Sequence, residues 1–281
     1  MIQIENLSFG YRKKALLFEG LDLSLNKGHI YGLLGKNGAG KSTLLKNMTG
    51  LAFPQKGSCL YNGINVSKRP VSVLEDIYFI AEELYVPSLT PVQFVANTAG
   101  FYPKFNQSDF YHYLKMLDVD MDGKMDKQSF GQQKKAMIAF GLATNTNLLI
   151  MDEPTNGLDI PSKVQFRKLI ASVLTEDRCM VISTHQVRDL DSLIDTLLVL
   201  NDREIVVNLP MDDVVDKLIF GVYPDTEGLP VIYEEESIRG KNAILRNTTG
   251  KFSKVDLELL FNGIIMGNKT LLEILKASPN E

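Results

Sequence analysis

The sequence predicts an α/β fold with a mainly parallel core sheet, and three observations carry that prediction. Short apolar runs recur along the chain, IYGLL, NLLIM, CMVIS and TLLVL, with helical stretches between most of them. Runs of that kind describe strands buried on both faces of a parallel sheet. The first of them leads straight into a glycine-rich loop and a helix, the layout of a phosphate-binding strand–loop–helix unit. The last stretch of the chain carries no such pattern and reads as a separate small α+β unit.

Taken in order, residues 1 to 34 read as short strands. IQIENLSF, GLDLSL and HIYGLL alternate or run apolar between turn residues such as Asn26, Lys27 and Gly28. A helix follows from Ser42 to about Thr49 and stops at Gly50. Gly57 to Val66 reads as a strand pair turning at Asn62-Gly63. Residues 84 to 143 are helical. Thr90 caps one helix with Pro91 in its first turn, Ser108 caps a second that runs through Leu117, and Ser129 caps a third. The aromatics there (Phe101, Tyr102, Phe105, Phe110, Tyr111 and Tyr113) read as packing between short helices. Beyond the NLLIM strand, Pro161 opens a helix, CMVIS is a second buried strand, and TLLVL with REIVVN forms a hairpin. The character changes near Leu209 and Pro210, so the boundary is set at 207/208, and residues 208 to 281 form the appended unit. Its amphipathic piece SKVDLELLFNGIIM is read as that unit's own core.

Composition narrows the function. The chain has 281 residues, 44% hydrophobic and 23% charged, which suits one large domain with a small addition. A formal net charge of -4 argues against a nucleic-acid binder. The two cysteines, Cys59 and Cys179, lie far apart in no metal-ligand spacing and read as reduced, packed thiols. The opening MIQIENLSFGYRKK lacks a signal-peptide layout, and no apolar run approaches the ~18 residues of a membrane span. A cytoplasmic protein is expected, with any membrane contact made through a partner.

Two motifs carry chemistry. GKNGAGKS, Gly35 to Ser42, fits G-x-x-x-x-G-K-S between an apolar strand and a helix. Gly35, Gly38 and Gly40 let backbone N–H groups curl around phosphate oxygens, Asn37 and Ala39 complete the nucleotide-binding loop, and the helix N-terminus adds partial positive charge. Lys41 is expected on the β- and γ-phosphates, Ser42 on Mg²⁺, and Thr43 on a phosphate oxygen. The second motif is LLIMDE, Leu148 to Glu153, a buried strand ending in two acids. Asp152 is placed to bind Mg²⁺ through water, and Glu153 to orient an attacking water.

GKNGAGKS together with DEPTNGLD, Asp152 to Asp159, resembles the ATP-binding-cassette (ABC) ATPase family over roughly residues 1 to 207. The resemblance implies a P-loop ABC-cassette fold with an N-terminal antiparallel β-subdomain, a helical subdomain at about 84–143, and ATP and Mg²⁺ as ligands. It implies that Tyr11 stacks on adenine, that Asp159 belongs to a loop crossing a dimer interface, and that His185 in VISTHQ contacts the γ-phosphate. It places Glu82 of IYFIAEELY where the family holds a Mg²⁺-touching glutamine; a carboxylate serves that ion equally well. The family signature Leu-Ser-Gly-Gly-Gln stands here as Gln128, Ser129, Phe130, Gly131, Gln132. Ser129, Gly131 and Gln132 keep its hydroxyl, open backbone and helix start. Phe130 is tolerable if its backbone stays helical, where a side chain carries no φ penalty. The exporter-type members of the family, with Ser-x-Gly-Met-Lys-Gln and a bulky x, are similar here.

The implied function is the ATP-hydrolysing subunit of a transporter. It would work as a homodimer with ATP sandwiched between subunits, on a separate polytopic membrane permease, peripheral on the inner face of the cell membrane. The coupling surface is expected within residues 82 to 117. A soluble ABC-type ATPase that remodels a cytosolic complex is the alternative, and a nucleotide-binding module without turnover is the third reading. A guanine-specific reading is disfavoured, since Asn268-Lys269-Thr270-Leu271 lacks the acid of Asn-Lys-x-Asp.

Overall fold

The computed structural model describes residues 1–12 and 15–277. Its centre is a six-stranded sheet in the order β10-β9-β3-β8-β7-β6. β3 (Ile30–Leu34), β6 (Ile77–Ile80), β7 (Leu148–Asp152), β8 (Cys179–Thr184) and β9 (Thr196–Asn201) are parallel. β10 (Glu204–Pro210) returns antiparallel at the edge as the second arm of the expected hairpin. The apolar runs are buried along their length because α1 (Lys41–Met48), α5 (Phe130–Ala143) and α6 (Ile160–Ser172) pack against the sheet. β6 is a strand that the sequence did not announce: four residues without alternation give no period to read. A one-turn helix α2 (Val71–Leu74) leads into it.

The N-terminal strands form a second sheet, antiparallel, in the order β2-β1-β4-β5, from β1 (Ile2–Phe9), β2 (Phe18–Leu25), β4 (Lys56–Tyr61) and β5 (Ile64–Asn65). Asn62-Gly63 makes the β4–β5 turn, both at positive φ, the demand of a two-residue hairpin. Its buried face shares a core with α1 and one face of the central sheet.

The helical segment contains α3 (Pro91–Thr98) and α4 (Gln107–Met116) ahead of α5. Thr90 and Gln93 form a reciprocal capping box on α3. α4 is capped by Asn106 rather than Ser108: the Asn106 side chain accepts from the N–H of Ser108 and of Asp109, since the helix begins two residues earlier than expected. Tyr78, Phe94, Tyr102, Phe105 and Phe110 gather around Phe140 of α5 with ring centroids 4.9–6.2 Å apart. Phe101 does not join them. It ends a 3₁₀ turn at the surface and stays largely exposed.

After α7 (Met211–Lys217), a three-stranded antiparallel sheet in the order β11-β13-β12 is built from β11 (Leu218–Tyr223), β12 (Val231–Ser237) and β13 (Gly240–Arg246). α8 (Leu257–Ile265) and α9 (Lys269–Lys276) pack on it. Leu257, Leu260 and Ile264 of α8 lie in a core continuous with that of the central sheet. Two ion pairs add to this junction, Arg188–Glu258 at 2.7 Å and Lys254–Asp191 at 2.6 Å.

Asp76 ties several of these parts together. Its carboxylate accepts from Tyr61 of β4 (2.6 Å), Lys104 of the helical segment (3.0 Å), and the N–H and amide of Asn147 ahead of β7 (3.1 and 2.9 Å). Burial pushes its pKa up, but the bonds from Tyr61, Lys104 and Asn147 outweigh burial and leave it below the ordinary carboxylate value of 3.8. A folded-state pKa lowered in this way stabilises fully above the unfolded value, about pH 4, and is lost as pH falls through the lowered one. Asp76→Asn is expected to cost about 2–3 kcal/mol at pH 7. It should also shrink the loss of stability between about pH 4 and pH 2. Urea melts of both proteins across that range check this; an unchanged midpoint at pH 7 refutes it.

Candidate functional site

Four neighbouring parallel strands deliver the candidate residues from their carboxyl ends, the crevice where open α/β sheets bind ligands. The Gly35–Ser42 loop leaves β3, Glu82 follows β6, Asp152 and Glu153 end β7, and His185 follows β8. The resulting cavity of about 910 Å³ gathers Tyr11, Asn37, Gly38, Gly40, Lys41, Ser42, Thr43, Glu82, Glu153 and His185.

The loop conformation explains its glycines at two points. Gly38 and Gly40 sit at φ 79° and 110°, outside the range of ordinary side chains. A Cβ on Gly40 would also stand 2.9 Å from the Phe18 ring. Lys41 is only 6% exposed; its ammonium donates to the Gly35 carbonyl at 2.8 Å and lies 3.6 Å from Glu153 Oε1. Ala39 turns to the apolar N-terminal core beneath the loop.

Glu153 is the most connected group of the site and is 4% exposed. Its Oε1 lies 2.9 Å from His185 Nδ1, and its Oε2 accepts from the Thr184 hydroxyl at 3.0 Å. Its backbone is left-handed, φ 47°, a conformation that costs a non-glycine residue about 1–3 kcal/mol. Asp152 lies just behind, accepting from the Ser183 hydroxyl at 2.5 Å. Thr184 and Ser183 were in plain view in VISTHQ, but nothing in the sequence says that β8 would lie beside β7 and aim both hydroxyls at its acids. Asn156 is a similar omission: its amide donates to Glu82 at 3.2 Å, fixing the carboxylate that faces the cavity, while Glu83 is solvent-exposed. Asp189 is another, buried and joined to Thr155 at 2.6 Å and Lys163 at 2.8 Å, bracing the His185 loop against α6.

Among the described residues no three His, Cys, Asp or Glu side chains gather as a metal cage. Among the side chains lining the cavity, the Ser42 hydroxyl and the Glu82 carboxylate offer oxygen donors, while Asp152 is buried behind them against Ser183. Few, hard ligands fit Mg²⁺, which keeps waters and shares phosphate oxygens.

Tyr11 stands at the cavity's outer wall, 70% exposed, edge-on to Phe9 and with its hydroxyl 3.1 Å from Thr43 Oγ1. Arg12 and Arg203 line the same wall and carried no motif in the sequence.

Ser129, Gly131, Gln132 and Asp159 do not reach the cavity. Ser129 caps α5 at the surface, accepting from the Gln132 N–H at 3.3 Å. The Gln132 side chain turns back to the loop before it, donating to the Asp118 carbonyl at 2.9 Å. Asp159 caps α6 through the Ser162 N–H at 2.8 Å, and that bonding holds its pKa below the usual carboxylate range. Phe130 is the first residue of α5 with a helical backbone, so it carries no φ strain. Its ring, 45% exposed, lies against Gly157, where a Cβ would stand 2.7 Å from it.

Residues 18–156 match a family model described as "ABC transporter". The lantibiotic transport ATP-binding protein SrtF of Streptococcus pyogenes is 32% identical over 218 residues, covering 75% of this chain and 92% of that protein. The SkfA peptide export ATP-binding protein SkfE of Bacillus subtilis is 32% identical over 219 residues, covering 74% and 89%. Among solved structures, a dimeric ATP-binding cassette in a post-hydrolysis state bound to ADP and Pi is 20% identical with a TM-score of 0.66, covering 75% of this chain and 99% of that one.

Proposed function

The chain belongs to the ABC transporter family as an ATP-binding, ATP-hydrolysing subunit, and from that premise we propose that it powers a peptide-exporter-like system through a separate membrane permease. The observation that carries the ATPase reading is the convergence of Lys41, Glu153 and His185 in one cavity beneath the phosphate-binding loop. In this reading Lys41 and the loop N–H groups bind the phosphates. Tyr11 offers its face to adenine, and Thr43 and Asn37 support the phosphate end. Ser42 and Glu82 would hold Mg²⁺, with Asp152 reaching it through water, and the ion would neutralise phosphate charge. Glu153 orients water and accepts its proton, and the His185 ring holds that carboxylate and faces the γ-phosphate. Such catalysis is positioning and electrostatics.

Ser129, Gly131, Gln132 and Asp159 lie outside their own chain's cavity, which supports a head-to-tail homodimer in which they complete the partner's site. Relatives named for lantibiotic transport and peptide export support the exporter assignment. Among the described residues no helix is long and apolar enough to cross a membrane, so the transport path would belong to a partner. Placement on the inner face of the membrane follows from that arrangement. A groove of about 470 Å³ lined by Leu51, Val71, Leu74, Phe79, Phe101 and Tyr102 presents the exposed apolar surface such a permease would need. It extends the coupling surface back from residues 82–117 to residues 49–79. β10 runs on to Pro210, past the expected 207/208 boundary, so we propose the end of that strand as the boundary between the cassette and an accessory unit docked on it.

The test is partner capture with tagged Glu153→Gln protein from gently solubilised membranes of its native host. A polytopic membrane protein in stoichiometric amount is expected. A soluble complex with no membrane protein overturns the transporter reading in favour of a cytosolic remodeller.

A further inference from the structure

Helix α5 carries a buried charge that the reading above leaves without a task. Lys134 is 0% exposed. Its ammonium donates to the main-chain carbonyl of Glu153 at 2.8 Å. It also lies 5.0 Å from the centre of the Phe130 ring, one helical turn earlier. Among the described residues no carboxylate comes within ion-pairing distance of it. Burial pulls its pKa down, against the attraction of Glu82, Glu153 and Asp152. An ammonium taken out of water without a carboxylate partner is costly, and a methionine would fill the same channel without that cost.

The group it touches explains the expense. Glu153 holds a left-handed backbone that side-chain-bearing residues seldom adopt. Its N–H is pinned from β8, donating to the Ser183 carbonyl at 3.1 Å and facing the Ser183 hydroxyl at 3.2 Å. Its carbonyl is pinned from α5 by Lys134. Without Lys134 the Glu153 carbonyl keeps, among the described residues, only the uncharged Asn156 N–H, at 3.2 Å, and the carboxylate is held less firmly in register with His185 and Thr184. Phe130 completes the device. Its ring rests on Gly157 and covers the ammonium from the solvent side, where it is attracted to the ring face. A glycine at 130 would open that channel to water.

We propose that Phe130 and Lys134 act as one positioning unit that fixes the Glu153 main chain for hydrolysis; this rests on Glu153 serving ATP hydrolysis as read above. The phenylalanine in the signature is then the lid of this unit.

Steady-state ATPase kinetics of the full chain test it, with wild type and Glu153→Gln measured alongside. Lys134→Met should lower kcat about 10- to 100-fold, the worth of a charge-assisted hydrogen bond, while KM for ATP stays within about two-fold. Lys134→Gln, which restores a neutral donor, should recover at least about three-fold of that loss. Phe130→Gly should lower kcat less than Lys134→Met, and the double variant should fall no further than Lys134→Met alone. Unchanged kcat in Lys134→Met, kcat and KM moving together, no recovery in Lys134→Gln, or an additive double variant each overturns the proposal. If Lys134→Met does not fold, Lys134→Gln decides: kcat lowered at constant KM supports the proposal, and wild-type kcat overturns it. An active wild type with unaffected Lys134 variants sinks this inference alone. A wild type without ATPase activity sinks the reading beneath it and this inference with it.

Discussion

Lys41→Met will lower ATP hydrolysis about 10²- to 10³-fold, the usual consequence of removing one preorganised cationic or hydrogen-bonding group from a charge-stabilising site. The ammonium is buried at the loop's base, where it satisfies the Gly35 carbonyl at 2.8 Å and stands 3.6 Å from Glu153. In that low-dielectric position its attraction for phosphate oxygens is worth far more than it would be in water. Methionine fills the volume without supplying charge, so a loss traces to electrostatics and not to a cavity. The buried Glu153 carboxylate then faces incoming phosphate with one counter-charge fewer, and ATP affinity should fall together with turnover. Nucleotide titration by fluorescence quenching and a phosphate-release assay measure the two losses separately. Retention of near wild-type turnover would remove Lys41 from the phosphate site and unseat the whole assignment of the loop. A circular dichroism spectrum matching wild type excludes misfolding as the cause.

What the sequence made legible follows from how local each signal is. The Gly35–Ser42 loop needs only its own glycines, its strand and its helix, all within a few residues, so its geometry could be foreseen from spacing alone. The same holds for the capping box at Thr90, whose partners are three residues apart. β6 was not legible, because its status depends on pairing with β7, some seventy residues later. Nor was the second set of ligands around Glu153. Thr184 arrives on β8 and Lys134 on α5, so their roles exist only once the sheet order places β8 beside β7 and α5 above it. Phe130 is the clearest instance. Read along the chain it is a departure from the family signature, and a helical backbone was the most that could be argued for it. In space it meets Gly157 and Lys134, which makes a substitution at one position intelligible through residues 4 and 27 places away.

Glu153→Gln should abolish turnover and capture an ATP-bound homodimer. The carboxylate is buried, with His185 Nδ1 at 2.9 Å and the Thr184 hydroxyl at 3.0 Å, an arrangement that leaves it a proton acceptor held in one orientation. Glutamine keeps the shape and can still bond both neighbours, but it cannot take a proton, so hydrolysis should fall about 10²- to 10⁴-fold. It also removes a negative charge from beside the triphosphate, so ATP binds at least as well as before. The capture follows from where the remaining residues lie. Ser129 caps α5 at the surface and Gly131 lies beside the Gly157 loop, neither in contact with the cavity of their own chain. In the proposed sandwich they would meet a phosphate only from a second copy, and unhydrolysed ATP would keep that contact closed. Light scattering in the presence of Mg-ATP should therefore show the mass double for Glu153→Gln and revert when Ser129→Arg is added. Rapid turnover by Glu153→Gln would refute its role as base. Lost turnover without a change in mass would leave that role standing and sink the sandwich, because the base belongs to one chain's cavity and the dimer rests on surfaces that lie outside it.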